Sequence, residues 1–153
     1  MTQLKAGDTC PNFKSQQQDE KIVQLADFAG KKLLVFFYPK ASTPGCTKQS
    51  IAATAAKAEL QALGCEVIGV SADTPLKQKN FETKYELGID LLADTEQEMC
   101  QAFDVWQLKQ NFGKEYMGIV RSSFLIDENG VVIEAWYKVK PEDTVPLALE
   151  LLK

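Results

Sequence analysis

The order of apolar runs predicts an α/β fold whose central sheet has a parallel portion, closed by an antiparallel hairpin and covered by helices. Three observations carry this. The six residues Leu33 to Tyr38 are all apolar, as in a central strand covered on both faces. Strand-like runs alternate with helix-like stretches through the first two thirds of the chain. Near the C-terminus two apolar runs are joined by Glu128-Asn129-Gly130, where Asn-Gly signals a hairpin.

Taken in order, a short N-terminal segment leads into "KIVQLADFAG", a strand ending in a turn, and then the apolar strand of "KKLLVFFYP". "TPGCTKQSIAATAAKAELQALG" has the Ala, Leu, Lys and Glu content of a helix, with Gly64 placed to end it. "CEVIGVSAD" reads as a buried strand, and "PLKQKNFETKYELG" as an amphipathic helix opened by Pro75 and closed by Gly88. "IDLLADT" is a short strand, "EQEMCQAFDVW" a short helix, and "RSSFLIDENGVVIEAWYKV" the hairpin. "PEDTVPLALELLK" is a closing helix that must start late enough for Pro146 to fall in its first turn. No repeat or linker interrupts the series, so residues 1 to 153 are expected to form one domain.

Composition narrows the chemistry. A net charge of −4 gives no electrostatic footprint for nucleic acid. The N-terminus lacks the apolar core of a signal peptide and no apolar run approaches a membrane span, so the expected location is the cytosol, with no membrane partner. Four cysteines without a C-x-x-C fit reduced thiols better than a disulfide framework. The absence of histidine removes Ser-His-Asp and Cys-His catalysis and the commonest transition-metal ligand, so no metal or cofactor is expected. Arg121 is the single arginine among 17 basic residues.

Cys46 stands out by its position. Thr43 is a good N-cap and Pro44 suits the first helical position, which makes Cys46 the third helical residue. In a capping box that position carries Glu or Gln, because free N–H groups and the positive helix end favour a negative group. A thiol there is expected to favour its thiolate, the nucleophilic form.

These residues resemble a known signature. "YPKASTPGCT" is similar to the P-x-x-x-T-x-x-C motif of the peroxiredoxins, with Pro39, Thr43 and Cys46 at the required spacing, and is nearest to the bacterioferritin comigratory protein, or PrxQ, subfamily. "GDTCPNF", "GCEVIGVSAD", "FDVW" and "RSSFLID" extend the resemblance over nearly the whole chain and place Arg121 in its expected setting. It implies a thioredoxin-like fold with a peroxiredoxin-type N-terminal extension, and reduction of hydrogen peroxide or organic hydroperoxides. Cys46 is then the attacking sulfur, Thr43 both cap and peroxide ligand, Arg121 the cation for thiolate and breaking O–O bond, and Pro39 the pocket wall.

Many PrxQ proteins resolve the sulfenic acid with a cysteine five residues after the peroxidatic one, and here that position is Ile51. Cys10, Cys65 and Cys100 remain, with Cys100 the best of the three because its short helix could unfold locally. The expected cycle therefore uses one cysteine and an external thiol: thioredoxin, glutaredoxin or a small molecule. The resemblance leans toward a monomer, with a weak dimer as alternative. The competing readings are a peroxide sensor without turnover and a thioredoxin-like thiol–disulfide protein; Thr43 occupies the place where the latter needs its first sulfur.

Overall fold

A computed structural model describes residues 3–153. The chain forms β1 (Lys14–Gln17), β2 (Ile22–Gln24), β3 (Lys32–Phe37), α1 (Pro44–Ala62), β4 (Cys65–Ser71), α2 (Pro75–Tyr85), β5 (Asp90–Ala93), α3 (Glu98–Ala102), β6 (Trp106–Asn111), β7 (Lys114–Ile119), β8 (Ser122–Ile126), β9 (Val132–Tyr137) and α4 (Thr144–Leu152). Seven strands make one sheet in the order β2-β1-β5-β4-β3-β8-β9, and β6 and β7 form a separate two-stranded ribbon. β3, β4 and β5 run parallel; β8 and β1 flank them antiparallel.

Alternation along β3 divides the interior. Leu33, Val35 and Phe37 face one core, with Met99, Cys100 and Phe103 of the α3 region and Phe124 of β8. Leu34, Phe36 and Tyr38 face the other, with Cys46, Ala53 and Leu60 of α1, Phe81 of α2 and Val145 and Ala148 of α4. Both faces are covered, which is why the β3 sequence is continuous rather than alternating. Each large apolar side chain buried in this way stabilises the fold by about 1.5–3 kcal/mol. At Gly69 the strands meet closely, since a Cβ there would come within 2.8 Å of the Phe36 ring.

The ends of elements explain where expectation and structure part. Gly64, at φ 77°, ends α1 as expected. α2 stops at Tyr85 rather than at Gly88, because Glu86 takes the left-handed conformation at φ 53° and its N–H bonds to Glu82 O. The hairpin after β8 is a longer loop than a two-residue Asn-Gly turn: Asp127 Oδ1 accepts from Asn129 N at 2.8 Å and Val131 N at 2.9 Å. Two elements were not anticipated. β1 is short and polar, and the β6–β7 ribbon, closed by Phe112 and Gly113 at positive φ, has mixed polarity on both faces. Pro146 lies third in α4, where its missing N–H costs nothing.

Candidate active site

The β3 strand delivers the chain to the site. Tyr38, fully buried, is followed by half-buried Pro39 and a loop that turns into α1. Ser42 adopts φ 67°, an uncommon conformation for a residue other than glycine. The loop is held from two sides: Ala41 N donates to Asp73 Oδ2 at 2.8 Å, and Thr43 Oγ1 donates to Lys40 O at 2.8 Å. Beneath it runs a buried polar chain. Ser71 Oγ donates to Asp73 Oδ2 at 2.7 Å, Gln78 Nε2 donates to Ser71 Oγ at 2.9 Å, and the Tyr38 hydroxyl donates to Gln78 Oε1. Burial pushes the Tyr38 phenol far up, and the charges of Asp73 and Cys46 act in the same direction.

Thr43 is the N-cap of α1 in its backbone, at φ −85° and ψ 155°, with Pro44 next. Its hydroxyl does not make the expected capping bond: the proton goes back to Lys40 O and no helix N–H reaches the oxygen. Only the oxygen lone pairs are left for a ligand.

Cys46 is fully buried on the third residue of α1, among free backbone N–H groups. Arg121 reaches it from the segment between β7 and β8, with Nη2 at 3.4 Å from the sulfur. The arginine is fixed at its backbone and its head. Val120 N bonds to Val105 O at 2.8 Å and Val139 N to Arg121 O at 2.9 Å, while Nη1 donates to Gln49 Oε1 at 2.7 Å. Gln49, fully buried, passes the constraint on by donating from Nε2 to Thr144 Oγ1 of α4 at 2.9 Å. Gly45 makes room for this: a Cβ there would stand 3.0 Å from Arg121 Nη2. The structure thus brings Thr43, Cys46 and Arg121 to one helix start, with Pro39 leading into the same loop. Gln49 and Thr144 were not singled out in the sequence. The signal for Gln49 is its spacing, three residues from Cys46 on the same helix face.

The other thiols lie elsewhere. Cys10 and Cys100 belong to the core on the opposite face of the sheet from Cys46. Cys65 shares the Cys46 core but pairs with Lys32 at the start of β3, whereas Cys46 follows its end. A six-residue strand separates those ends by about 20 Å. Disulfide geometry needs Cα atoms about 5.5 Å apart. Burial pushes the Cys10 and Cys65 thiols up to about 12, and burial together with the charge of Asp94 drives Cys100 further in the same direction.

Comparison with known proteins shows the family to which the chain belongs. Residues 6–135 match the model of the AhpC/TSA family. The chain belongs to the AhpC/TSA family, as one of its peroxiredoxins. It is 43% identical over 150 residues to peroxiredoxin Bcp of Bacillus subtilis, covering 98% of this chain and 96% of the relative. Its fold superposes on PrxQ of Xylella fastidiosa with a TM-score of 0.92 at 28% identity, covering 99% and 97% of the two chains. The bacterioferritin comigratory protein of Xanthomonas campestris, investigated for its alkyl peroxide reduction activity, matches with a TM-score of 0.86 at 34% identity, covering 92% and 89%. Like these relatives, the peroxiredoxin has the thioredoxin-like mixed sheet with helices on both faces.

Proposed function

We propose that this peroxiredoxin reduces hydrogen peroxide and organic hydroperoxides through a sulfenic acid on Cys46. The observation that carries the reading is the guanidinium of Arg121 at 3.4 Å from a sulfur on the first turn of a helix. Negative charge on sulfur meets both the positive helix end and a permanent cation.

The step follows from this arrangement. Peroxide donates an O–H to the Thr43 oxygen and accepts from Arg121, which holds the O–O bond in line with the sulfur. The thiolate attacks one oxygen: an S–O bond forms, the O–O bond breaks, and sulfur is oxidised by two electrons. The departing hydroxide or alkoxide, whose charge Arg121 stabilises, takes a proton to leave as water or alcohol. Pro39, without an N–H, walls the pocket without competing for the oxygen.

Recycling proceeds through an external thiol. Its sulfur attacks the sulfenic acid, an S–S bond forms and water leaves; a second thiol, from thioredoxin, glutaredoxin or a small molecule, then displaces Cys46. Support comes from Ile51, exposed where many PrxQ proteins carry a resolving cysteine, and from the placement of the remaining thiols away from Cys46. Residues 1–153 work on this reading as one domain and as a monomer, in a reducing compartment such as the cytosol that suits four free cysteines.

The test measures peroxide consumption with dithiothreitol as reductant for the wild type and Cys46→Ser. Catalytic turnover lost in the variant is expected. Oxidation of one equivalent without turnover would indicate a sensor, and unaltered turnover in the variant would remove Cys46 from the chemistry. Intact mass after one equivalent of peroxide is expected to rise by one oxygen; a loss of two protons would reveal an internal disulfide.

A further inference from the structure

The β6–β7 ribbon carries a lysine that does not behave as a surface charge. Lys109 Nζ donates to Ile119 O at 2.9 Å, two residues before Arg121 in the chain. To reach it the side chain crosses Gly118, where a Cβ would meet both Lys109 Cδ and the Tyr116 ring at 3.2 Å. Tyr116 is the direct cross-strand partner of Lys109, so ring and stem pack side by side over the glycine. The ammonium is partly withdrawn from water, and this burial is the largest influence lowering its affinity for a proton. The positive charge of Arg121 adds to that effect and negative charge on Cys46 opposes it, so both lie within electrostatic reach. Arg121 and Cys46 from the site act on its charge, and Tyr116 faces it from the neighbouring strand.

Two cations held near each other repel, and an anion close to both offsets that cost. The sulfur of Cys46, which bonds to Arg121 and whose negative charge favours the Lys109 ammonium, can supply it. We propose that Lys109 is a positioning residue of the peroxide site: bonded to Ile119 O, it braces the segment from which Arg121 projects and adds a second positive charge to the field around the sulfur. The inference rests on the peroxidase reading above.

The experiment compares the wild type with Lys109→Met and Lys109→Arg, following both peroxide oxidation of Cys46 and its alkylation by iodoacetamide across pH. For Lys109→Met we expect peroxide oxidation about threefold to tenfold slower, the size of effect for a partly solvated charge, and an alkylation curve moved to higher pH. Lys109→Arg should restore the peroxide rate to within about threefold of the wild type, because the charge returns. Wild-type behaviour in Lys109→Met on both readouts, or an equally large loss in Lys109→Arg, would overturn the proposal. Should Lys109→Met not fold, Gly118→Ala decides in its place: it keeps the charge but displaces the stem, and a peroxide rate equal to the wild type would refute the role. Alkylation requires no turnover. A wild type that consumes no peroxide therefore refutes the peroxidase reading alone, while the alkylation curves still judge Lys109.

Discussion

At the scale of single residues, the site depends on how close a guanidinium can come to a sulfur. Arg121 divides its donors between Gln49 and Cys46 from the two ends of a planar fork, a geometry that the compact point charge of a lysine ammonium does not reproduce. Arg121→Lys is expected to lower kcat/KM for peroxide about 10- to 100-fold, read by steady-state assay. Gly45→Ala tests the same approach from the opposite side. Alanine is favoured over glycine in a helix by up to about 1 kcal/mol, so melting temperature should hold or rise. The added Cβ would press on Nη2, and the peroxide rate should fall about tenfold. A rate that stayed level would mean the arginine can shift without consequence. Thr43, Cys46 and Arg121, which the fold brings to one helix start, stand out in the sequence as a cap residue before a proline, a sulfur where a capping box carries Glu or Gln, and a lone arginine. Gln49 does not, because glutamine inside a helix ordinarily reads as a solvated position. Its burial depends on α4, which arrives almost a hundred residues later.

At the scale of elements, one buried polar side chain of α2 bonds to the sheet at several points. Gln78 Nε2 donates to Ser71 Oγ and, at 2.7 Å, to Leu92 O, while its oxygen accepts from the Tyr38 hydroxyl, linking α2 to β3, β4 and β5. Gln78→Ala would leave a buried hydroxyl and carbonyl without partners, at a cost of about 1–3 kcal/mol. For a chain of this size the melting temperature should drop by about 2–12 °C in a thermal scan. β3 was readable because burial on both faces makes Leu33 to Phe37 apolar throughout, and β4 and β8 because each holds a shorter apolar run, Val67-Ile68 and Phe124 to Ile126. The β6–β7 ribbon was not, because it lies off the main sheet: Leu108 and Met117 remain exposed as a cross-strand pair, and the alternation from Trp106 to Lys109 stops at Gln110. Helix starts were legible at Pro44 and Pro75, and a C-terminal end where glycine takes the left-handed turn at Gly64. At Glu86 a charged residue adopts that conformation and the sequence carries no mark of it.

At the scale of the whole molecule, the buried thiols set an alkaline limit. Cys10 and Cys65 are held up to about 12 in the fold, against an ordinary 9.0. Below about pH 9 folded and unfolded chains both keep these protons, and stability is unaffected. Between about pH 9 and 12 the unfolded chain releases protons that the folded chain retains, so stability falls as pH rises. Urea midpoints recorded across that window should decline, and the decline should be shallower in a Cys10→Ala, Cys65→Ala double variant. A flat profile would show that these thiols are not held protonated by the fold. At neutral pH, peptide mapping after brief iodoacetamide treatment should find label at Cys46 well before Cys10, Cys65 or Cys100.

The sheet that parts the two cores also decides where an oxidising equivalent can travel. A sulfenic acid formed at Cys46 has Cys10 and Cys100 behind a wall of β-structure and Cys65 at its far end. In the proposed cycle the molecule therefore works as a single-seat carrier: what it accepts from a peroxide leaves through the same doorway by collision with another thiol. Its throughput when peroxide is plentiful is then set by the concentration of that second visitor, and a scarcity of reductant would leave the sulfur open to a second peroxide and to sulfinic acid.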